Sequence, residues 1–432
     1  MFQVLRLARL ALGKYSGMLE QPQLIGGVLA PLVGGAIGLV SVTYPALRAA
    51  HLEPVEALRN AVVAAYPKLS HRYYELKRKW LGLDTLQVWD RNAPLPMEDD
   101  RLVHWDEARK VVSEAYADFD PRIHSEAEIQ RFCRAFMTQL ARHIGPDTDI
   151  PAGDIGVSAR EIAYLFDQYR AISGNFSGVI TGKDPVFGGS CFREQATGYG
   201  CVYFARHVMA EKNSGLDRKR CAISGAGNVA LHTAEKLLDN GARVISLSER
   251  RGTVHFKDGL TEQQLTDIKQ DRQARGDLKS LAERRGWDFH EGRKPWPLET
   301  DLAFACATQN ELDAEDAARL VDNGCEAVFE GANMPCTGDA VRALREAGVT
   351  LAPSKAVNAG GVAVSGLEIS QNRARRPWDG DRVNRELERV MEDIHSDCVE
   401  YGRSGDDIDY KKGANIAAFV QLSKAIRLYG LA

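Results

Sequence analysis

The junction Cys221-Ala222-Ile223-Ser224-Gly225-Ala226-Gly227-Asn228-Val229-Ala230 constrains this chain more than any other stretch. Small and β-branched apolar residues before the first glycine read as a buried strand. After the second glycine a helical pattern begins at once and runs to Asn240-Gly241, a pair that stops helices. Arg243 to Leu247 then reads as a second strand. Strand, glycine turn, helix and strand in that order, with the spacing G-x-G-x-x-A, form a dinucleotide-binding unit. Gly225 makes the tight turn, Gly227 lets the backbone approach a pyrophosphate, and Ala230 lets helix and strand pack closely. The helix opening at Asn228 and Val229 faces the phosphates with free N–H groups. Gly225, Gly227, Asn228 and Val229 are therefore candidate cofactor contacts.

Glu249 closes the second strand, where an acidic residue holds the ribose 2′-hydroxyl of NAD. Arg250 and Arg251 follow directly, and guanidinium groups there suit a 2′-phosphate. The pattern favours NADP over NAD, although two arginines at a strand end also read as a solvated surface pair.

At 432 residues the chain can hold two or three domains with full cores. A net charge of −4 argues against a nucleic-acid partner, whose binding surface would carry a basic excess. None of the eight cysteines forms a CxxC pair, which points to small apolar thiols in a cytoplasmic protein rather than a disulfide framework or zinc site. No metal site is expected. From Thr197 onward β-rich runs alternate with helices, as in a parallel sheet. Before that, Ser125-x-x-Glu128 is a capping box, and Ile129, Phe132, Cys133, Phe136, Met137, Leu140 and Ile144 follow a helical stripe.

The first 123 residues differ in character. Leu24 to Leu47 has no charged residue and is long enough to span a bilayer, with Arg6, Arg9 and Lys14 before it and Arg48 after. It lies too far from the start for a standard signal peptide. The alternative is a buried, glycine-rich core helix. The run from Pro45 through Glu53-Pro54-Val55-Glu56-Ala57-Leu58-Arg59 resembles the cytoplasmic tail of an ABC-transporter permease of the lipoprotein-export type. Tyr74-Glu75-Leu76-Lys77-Arg78-Lys79-Trp80 and Val88-Trp89-Asp90-Arg91-Asn92 resemble a segment of an oligoendopeptidase. That chemistry needs an HExxH helix to hold zinc, and the sequence contains none.

Six further runs carry a different resemblance. They are Pro151-Ala152-Gly153-Asp154-Ile155-Gly156-Val157, Gly188-Gly189-Ser190 with Arg193 and Ala196-Thr197-Gly198-Tyr199-Gly200, and Cys306-Ala307-Thr308-Gln309-Asn310-Glu311-Leu312. Glu330-Gly331-Ala332-Asn333-Met334-Pro335, Asn358-Ala359-Gly360-Gly361-Val362 with Ser365-Gly366-Leu367-Glu368, and Gly413-Ala414-Asn415-Ile416-Ala417 follow. In this order, over about 125–432, they resemble the hexameric NADP-type glutamate dehydrogenases. Departures are Glu249 for a usual Asp, Gln195 for a usual Glu and Ala305 for a common Pro.

The resemblance implies reversible oxidative deamination of L-glutamate to 2-oxoglutarate and ammonium with NADP(H), in a homo-hexamer. It implies Asp154 as the catalytic acid/base, Ser365 against the substrate's side-chain carboxylate, and Arg193, Thr197, Asn333 and Asn358 near the nicotinamide half of the cofactor. Read without it, Asn333 and Asn358 are ordinary loop-capping residues. The family also carries a catalytic lysine in a loop of the form P-x-G-G-[AG]-K-G-G, with two further lysines upstream. No such loop occurs in the sequence, and neither Lys183 nor Lys355 stands in one. Asp118-Phe119-Asp120-Pro121-Arg122 resembles the family's run just after that loop, and fits the peptidase-like segment equally.

The expected architecture is α/β: a Rossmann-type parallel-sheet domain plus a truncated α/β substrate domain, with an extra helical N-terminal region. The expected boundaries are a permease-like segment at 1–66 and a peptidase-like fragment at 67–123. The substrate domain is expected at 124–195, completed by 396–432, and the dinucleotide-binding domain at 196–395. On this reading the chain is a chimera, and membrane contact, if any, runs through 24–47.

Overall fold

The computed structural model describes residues 124–153, 157–274 and 276–429. The uncharged run 24–47, both N-terminal resemblances, the run 118–122 and Asp154 lie outside the described residues. Two compact units emerge. Among the described residues, one takes 191–367 with 378–429, and the other takes 124–190 with Glu368–Pro377.

In the second unit, helix α1 (Glu126–Leu140) starts at the expected capping box, where the Ser125 amide donates to Glu128 Oε2 at 2.8 Å. Helix α2 (Ala159–Ser173) starts at another, Ser158 with Glu161. Met137 of α1 joins Ile162, Phe166 and Tyr169 of α2 and Val179 and Ile180 in a small core. The stripe read from the sequence is wider than the face that is buried. Ile129, Cys133 and Met137 are covered, whereas Phe132 and Phe136 are 48% and 45% exposed. Each residue advances about 100° round a helix, so 132 and 136 stand on the flank of the 129-133-137 line. Lys183 and Glu368 form an ion pair at 2.7 Å with both side chains nearly fully enclosed. Glu368 also accepts from the Gly182 amide at 2.9 Å.

The first unit opens with helix α3 (Ala196–Glu211) and strand β1 (Arg220–Ser224), followed by α4 (Asn228–Asp239), β2 (Arg243–Glu249) and β3 (Gly252–His255). Then come α5 (Glu262–Gln273), α6 (Leu278–Arg285), β4 (Asp288–Glu291), β5 (Leu302–Ala305), α7 (Ala314–Asp322), β6 (Ala327–Glu330), α8 (Gly338–Glu346) and β7 (Thr350–Ala352). The order across the sheet is β4-β3-β2-β1-β5-β6-β7. The five strands from β2 to β7 are parallel, and β3 and β4 add an antiparallel edge. The chain winds outward from β1 to β2 on one side and to β5 on the other. That reversal is a topological switch point, where open α/β sheets bind ligands.

Strand residues such as Ile223, Leu302, Phe304 and Phe329 have no exposure, as expected for strands covered on both faces. On one face Trp296 packs with Ala317, Leu320, Ala340 and Leu344 from α7 and α8. The other face is covered by α3 and α4 and by the last stretch of the chain: α9 (Ser354–Val357), α10 (Gly360–Ala374), α11 (Gly380–Gly402), the short pair β8 (Arg403–Ser404) and β9 (Asp407–Ile408), and α12 (Tyr410–Tyr429). Residues 396–429 group with the sheet unit. Phe204 of α3 packs edge-on against His395 of α11 and Tyr410 of α12, and that aromatic seam holds them there. All eight cysteines are free, seven of them buried. Among the described residues no helix is long and apolar enough to cross a membrane.

Candidate functional site

The turn after β1 forms because Gly225 adopts φ +87°, a conformation costly for any residue with a Cβ. A Cβ at Gly225 would also stand 3.1 Å from the Cys306 carbonyl oxygen, so the loops after β1 and β5 meet there. Gly227 differs. A Cβ built on it meets nothing within 4 Å, so it faces open space. It is the N-cap of α4 and offers no side chain to cap it, whereas α1, α2, α5, α6, α7, α8 and α11 all carry side-chain caps. The first N–H groups of α4 therefore have no side-chain cap, and the helix dipole there favours an anion. Ala230 is fully buried where helix meets sheet.

Hydroxyls and one carboxylate brace this crevice. The pairing of β1 with β2 shifts register between Cys221 and Ala222, and side chains fill the gap. Ser246 Oγ accepts from the Ile223 amide at 3.0 Å, and Ser248 Oγ accepts from the Gly225 amide at 2.9 Å. On the other side Ser224 Oγ donates to Glu311 at 2.8 Å and accepts from the Cys306 amide at 2.9 Å. Glu311 also accepts from the Ala307 amide at 3.0 Å. Burial raises the Glu311 pKa, and these donors oppose the rise. Ser248 and Glu311 tie both switch-point loops to the sheet.

At the far end of β2, Glu249 pairs with Gly252 across the hairpin, so Arg250 and Arg251 are its two turn residues and both are exposed. Arg251 Nη1 lies 3.6 Å from Asp277 Oδ1. The Glu249 carboxylate is engaged elsewhere: it accepts from Arg272 Nη2 at 2.9 Å and from the amides of Leu278 and Lys279 at 3.2 and 3.3 Å.

The remaining candidates form two pairs. Arg193 Nε donates to Ser365 Oγ at 3.1 Å, and Asn358 Nδ2 donates to Asn333 Oδ1 at 2.7 Å. The start of α10 reaches α3 because a Cβ at Gly360 would lie 2.1 Å from the Ala196 carbonyl oxygen, which only glycine permits. That approach sets Thr197 Oγ1 and Arg193 against Gly361. Two bonds join these pairs to the crevice. Asn228 Nδ2 donates to the carbonyl of Glu194, beside Arg193, at 2.7 Å, and the Ala332 amide donates to the Ala305 carbonyl at 2.8 Å. Buried Glu330 holds the Asn333 loop by accepting from the Ser354 and Cys336 amides at 2.8 and 3.4 Å, and burial raises its pKa. Val229 packs partly buried against the core behind the Gly225–Gly227 turn.

The profile of the Glutamate/Leucine/Phenylalanine/Valine dehydrogenase family matches residues 188–430, and that of the Glu/Leu/Phe/Val dehydrogenase dimerisation domain matches 113–171. The chain belongs to this dehydrogenase family. It is 45% identical over 317 residues to a glutamate dehydrogenase of Bacteroides thetaiotaomicron, covering 73% of this chain and 71% of that one. It is 46% identical over 316 residues to the NADP-specific glutamate dehydrogenase of Escherichia coli, with the same coverage of 73% and 71%. The crystal structure of Plasmodium falciparum glutamate dehydrogenase superposes with a TM-score of 0.70 at 42% identity, over 72% of this chain and 68% of that one. As a member of the family the chain is related to oxidoreductases, and its described α/β fold matches theirs. The family match starts at 113 and so takes in the run 118–122.

Sequence reading missed Ser248, Glu311, Glu330 and Arg272. Glu311 lies inside a run that carried the resemblance, but its bond to Ser224 joins residues 87 apart. Lys183 is tied to Glu368, and Lys355 donates to Asn415, so neither stands as an unengaged ammonium. His255, Asp288 and His290 bring one ligand atom each to within 4.8 Å of the others on the antiparallel edge. The Lys257 ammonium already sits 3.2 Å from that aspartate. A surface hollow of about 550 Å³ lined by Lys294, Asp313, Asp316 and Arg319 contains none of the candidate residues.

Proposed function

We propose that this chain binds NADP(H) and carries the cofactor half of a glutamate dehydrogenase, with turnover impaired by the absence of the lysine loop. The observation that carries the reading is the open Gly227 at the uncapped start of α4, on a turn where Gly225 has φ +87°. A pyrophosphate fits there: backbone N–H groups face it and no side chain fills the space. Arg250 and Arg251 would meet a 2′-phosphate bidentately or as point charges. NAD is the weaker fit because Glu249 is already engaged.

The reaction implied by the relatives takes L-glutamate, water and the oxidised cofactor to 2-oxoglutarate, ammonium, the reduced cofactor and a proton. The nicotinamide, when bound, exchanges the hydride with the amino-acid α-carbon. Ser365 offers its hydroxyl to the substrate's side-chain carboxylate, and Arg193, whose Nε donates to it at 3.1 Å, lies with Thr197 toward the nicotinamide half of the cofactor in this reading. Asn333 and Asn358 position the nicotinamide half of the site. Asp154 manages the proton on water and ammonia in this proposal. A homo-oligomer is the proposed assembly, since one of the two matched profiles is that of a dimerisation domain.

The second reading, a protein that binds NADP and turns nothing over, is favoured by the same missing lysines. NADPH oxidation with saturating 2-oxoglutarate and ammonium separates the two. An NADPH affinity no better than that of a Gly227→Asp variant would defeat both.

A further inference from the structure

A free carboxylate at the end of β2 would accept from a ribose 2′-hydroxyl and repel a 2′-phosphate. Glu249 occupies that position but is not free. Three donors engage it: Arg272 Nη2 at 2.9 Å and the Leu278 and Lys279 amides at 3.2 and 3.3 Å, with the side chain only 14% exposed. The donors come from the last turn of α5 and the first turn of α6, between 23 and 30 residues further along the chain. Arg272 is pinned from its other side as well, since its Nη1 donates to the Gly276 carbonyl at 3.2 Å. The guanidinium therefore cannot follow Glu249 toward a ligand without giving up a second bond. Meanwhile the paired ends of the hairpin, Glu249 and Gly252, hold Arg250 and Arg251 out at the turn.

We infer that Arg272 and the first turn of α6 determine cofactor specificity: they hold Glu249 away from the ribose and leave the Arg250–Arg251 turn to receive a 2′-phosphate. The inference rests on the reading of the chain as an NADP(H) binder. Arg272 touches no cofactor in this account; it is a positioning residue that acts through Glu249. Removing it leaves Glu249 with the two α6 amides alone and unmasks much of its charge, which welcomes a 2′-hydroxyl and opposes a 2′-phosphate.

The test uses the full chain and reads NADPH and NADH dissociation constants by nicotinamide fluorescence. The variants are Arg272→Met, Glu249→Gln and the two combined. The parent is expected to prefer NADPH. Arg272→Met is expected to narrow that preference by about tenfold, mainly through tighter NADH binding. Glu249→Gln is expected to leave NADH binding within about twofold, because the carboxylate is not in use at the ribose. The double variant should gain no NADH affinity, since the freed group is no longer charged. An unchanged preference in a folded Arg272→Met overturns the inference. So does a loss of NADH affinity beyond about tenfold in Glu249→Gln, a test that holds even if Arg272→Met fails to fold. A parent with equal affinity for both cofactors instead removes the NADP(H) reading itself.

Discussion

Gly225 and Gly227 stand two residues apart and respond oppositely to substitution. At Gly225, with φ +87° and a Cβ only 3.1 Å from the Cys306 carbonyl, alanine strains the backbone and pushes two loops apart. Gly225→Ala should lose about 1–3 kcal/mol of stability together with NADPH affinity. At Gly227 the backbone is ordinary and the space is open, so Gly227→Ala should keep the melting temperature of the parent. It should still bind NADPH at least about tenfold more weakly, because the methyl occupies the space of a phosphate. Paired melting curves and NADPH titrations check this, and equal losses of stability in the two variants would count against it. Arg250 and Arg251 changed together to Ser should remove most of the NADPH preference, read as the ratio of the two dissociation constants. The glycines were legible in the sequence because their job is local. The Glu249 position was legible too, but its orientation was not, since residues 23 to 30 positions away set it.

Helices were legible wherever their ends carry local signals, as at the Ser125–Glu128 box that starts α1. What periodicity could not say is which part of a stripe meets a partner, and Phe132 and Phe136 emerged on the flank. Nor could it join α3 to α11 and α12, whose seam is made by Phe204, His395 and Tyr410. Burial, with His207 close by, pushes His395 down to about 4 from its ordinary 6.5. Below pH 6.5 the unfolded chain takes up this proton while the folded chain resists it, so the seam keeps its full stability above 6.5. Stability then drains as pH falls from 6.5 toward about 4, by at most about 3 kcal/mol from this group. Urea midpoints at pH 7 and 4.5 should show the fall, and His395→Gln should flatten it. A slope that survives the substitution would assign the acid sensitivity elsewhere. In the other unit, Glu368→Ala leaves the enclosed Lys183 ammonium without its partner and should cost roughly 3–5 kcal/mol of that unit's stability in urea unfolding.

At the scale of the whole molecule, the missing lysine loop governs the expected rate. Losing a preorganised charge at a developing oxyanion costs on the order of 100- to 1,000-fold, and a whole substrate loop should cost more. Turnover of 2-oxoglutarate and ammonium should therefore rise steeply when a family-type upstream half replaces residues 1–112. Activity close to that of the restored chain would refute this. Deleting 1–66, which lies outside the family match, should leave the NADP-bound melting temperature nearly unchanged. Among the described residues one side of α3 is met by late residues: Tyr203 donates to Asn384 at 2.6 Å, 181 positions on, and Arg403 reaches back to Glu211 across 192. At about 5–20 residues per second a ribosome needs roughly 10 to 40 s to cover that interval. Throughout it, Phe204 and its neighbours wait without their cover. A chain that stopped before residue 380 would lack that cover permanently.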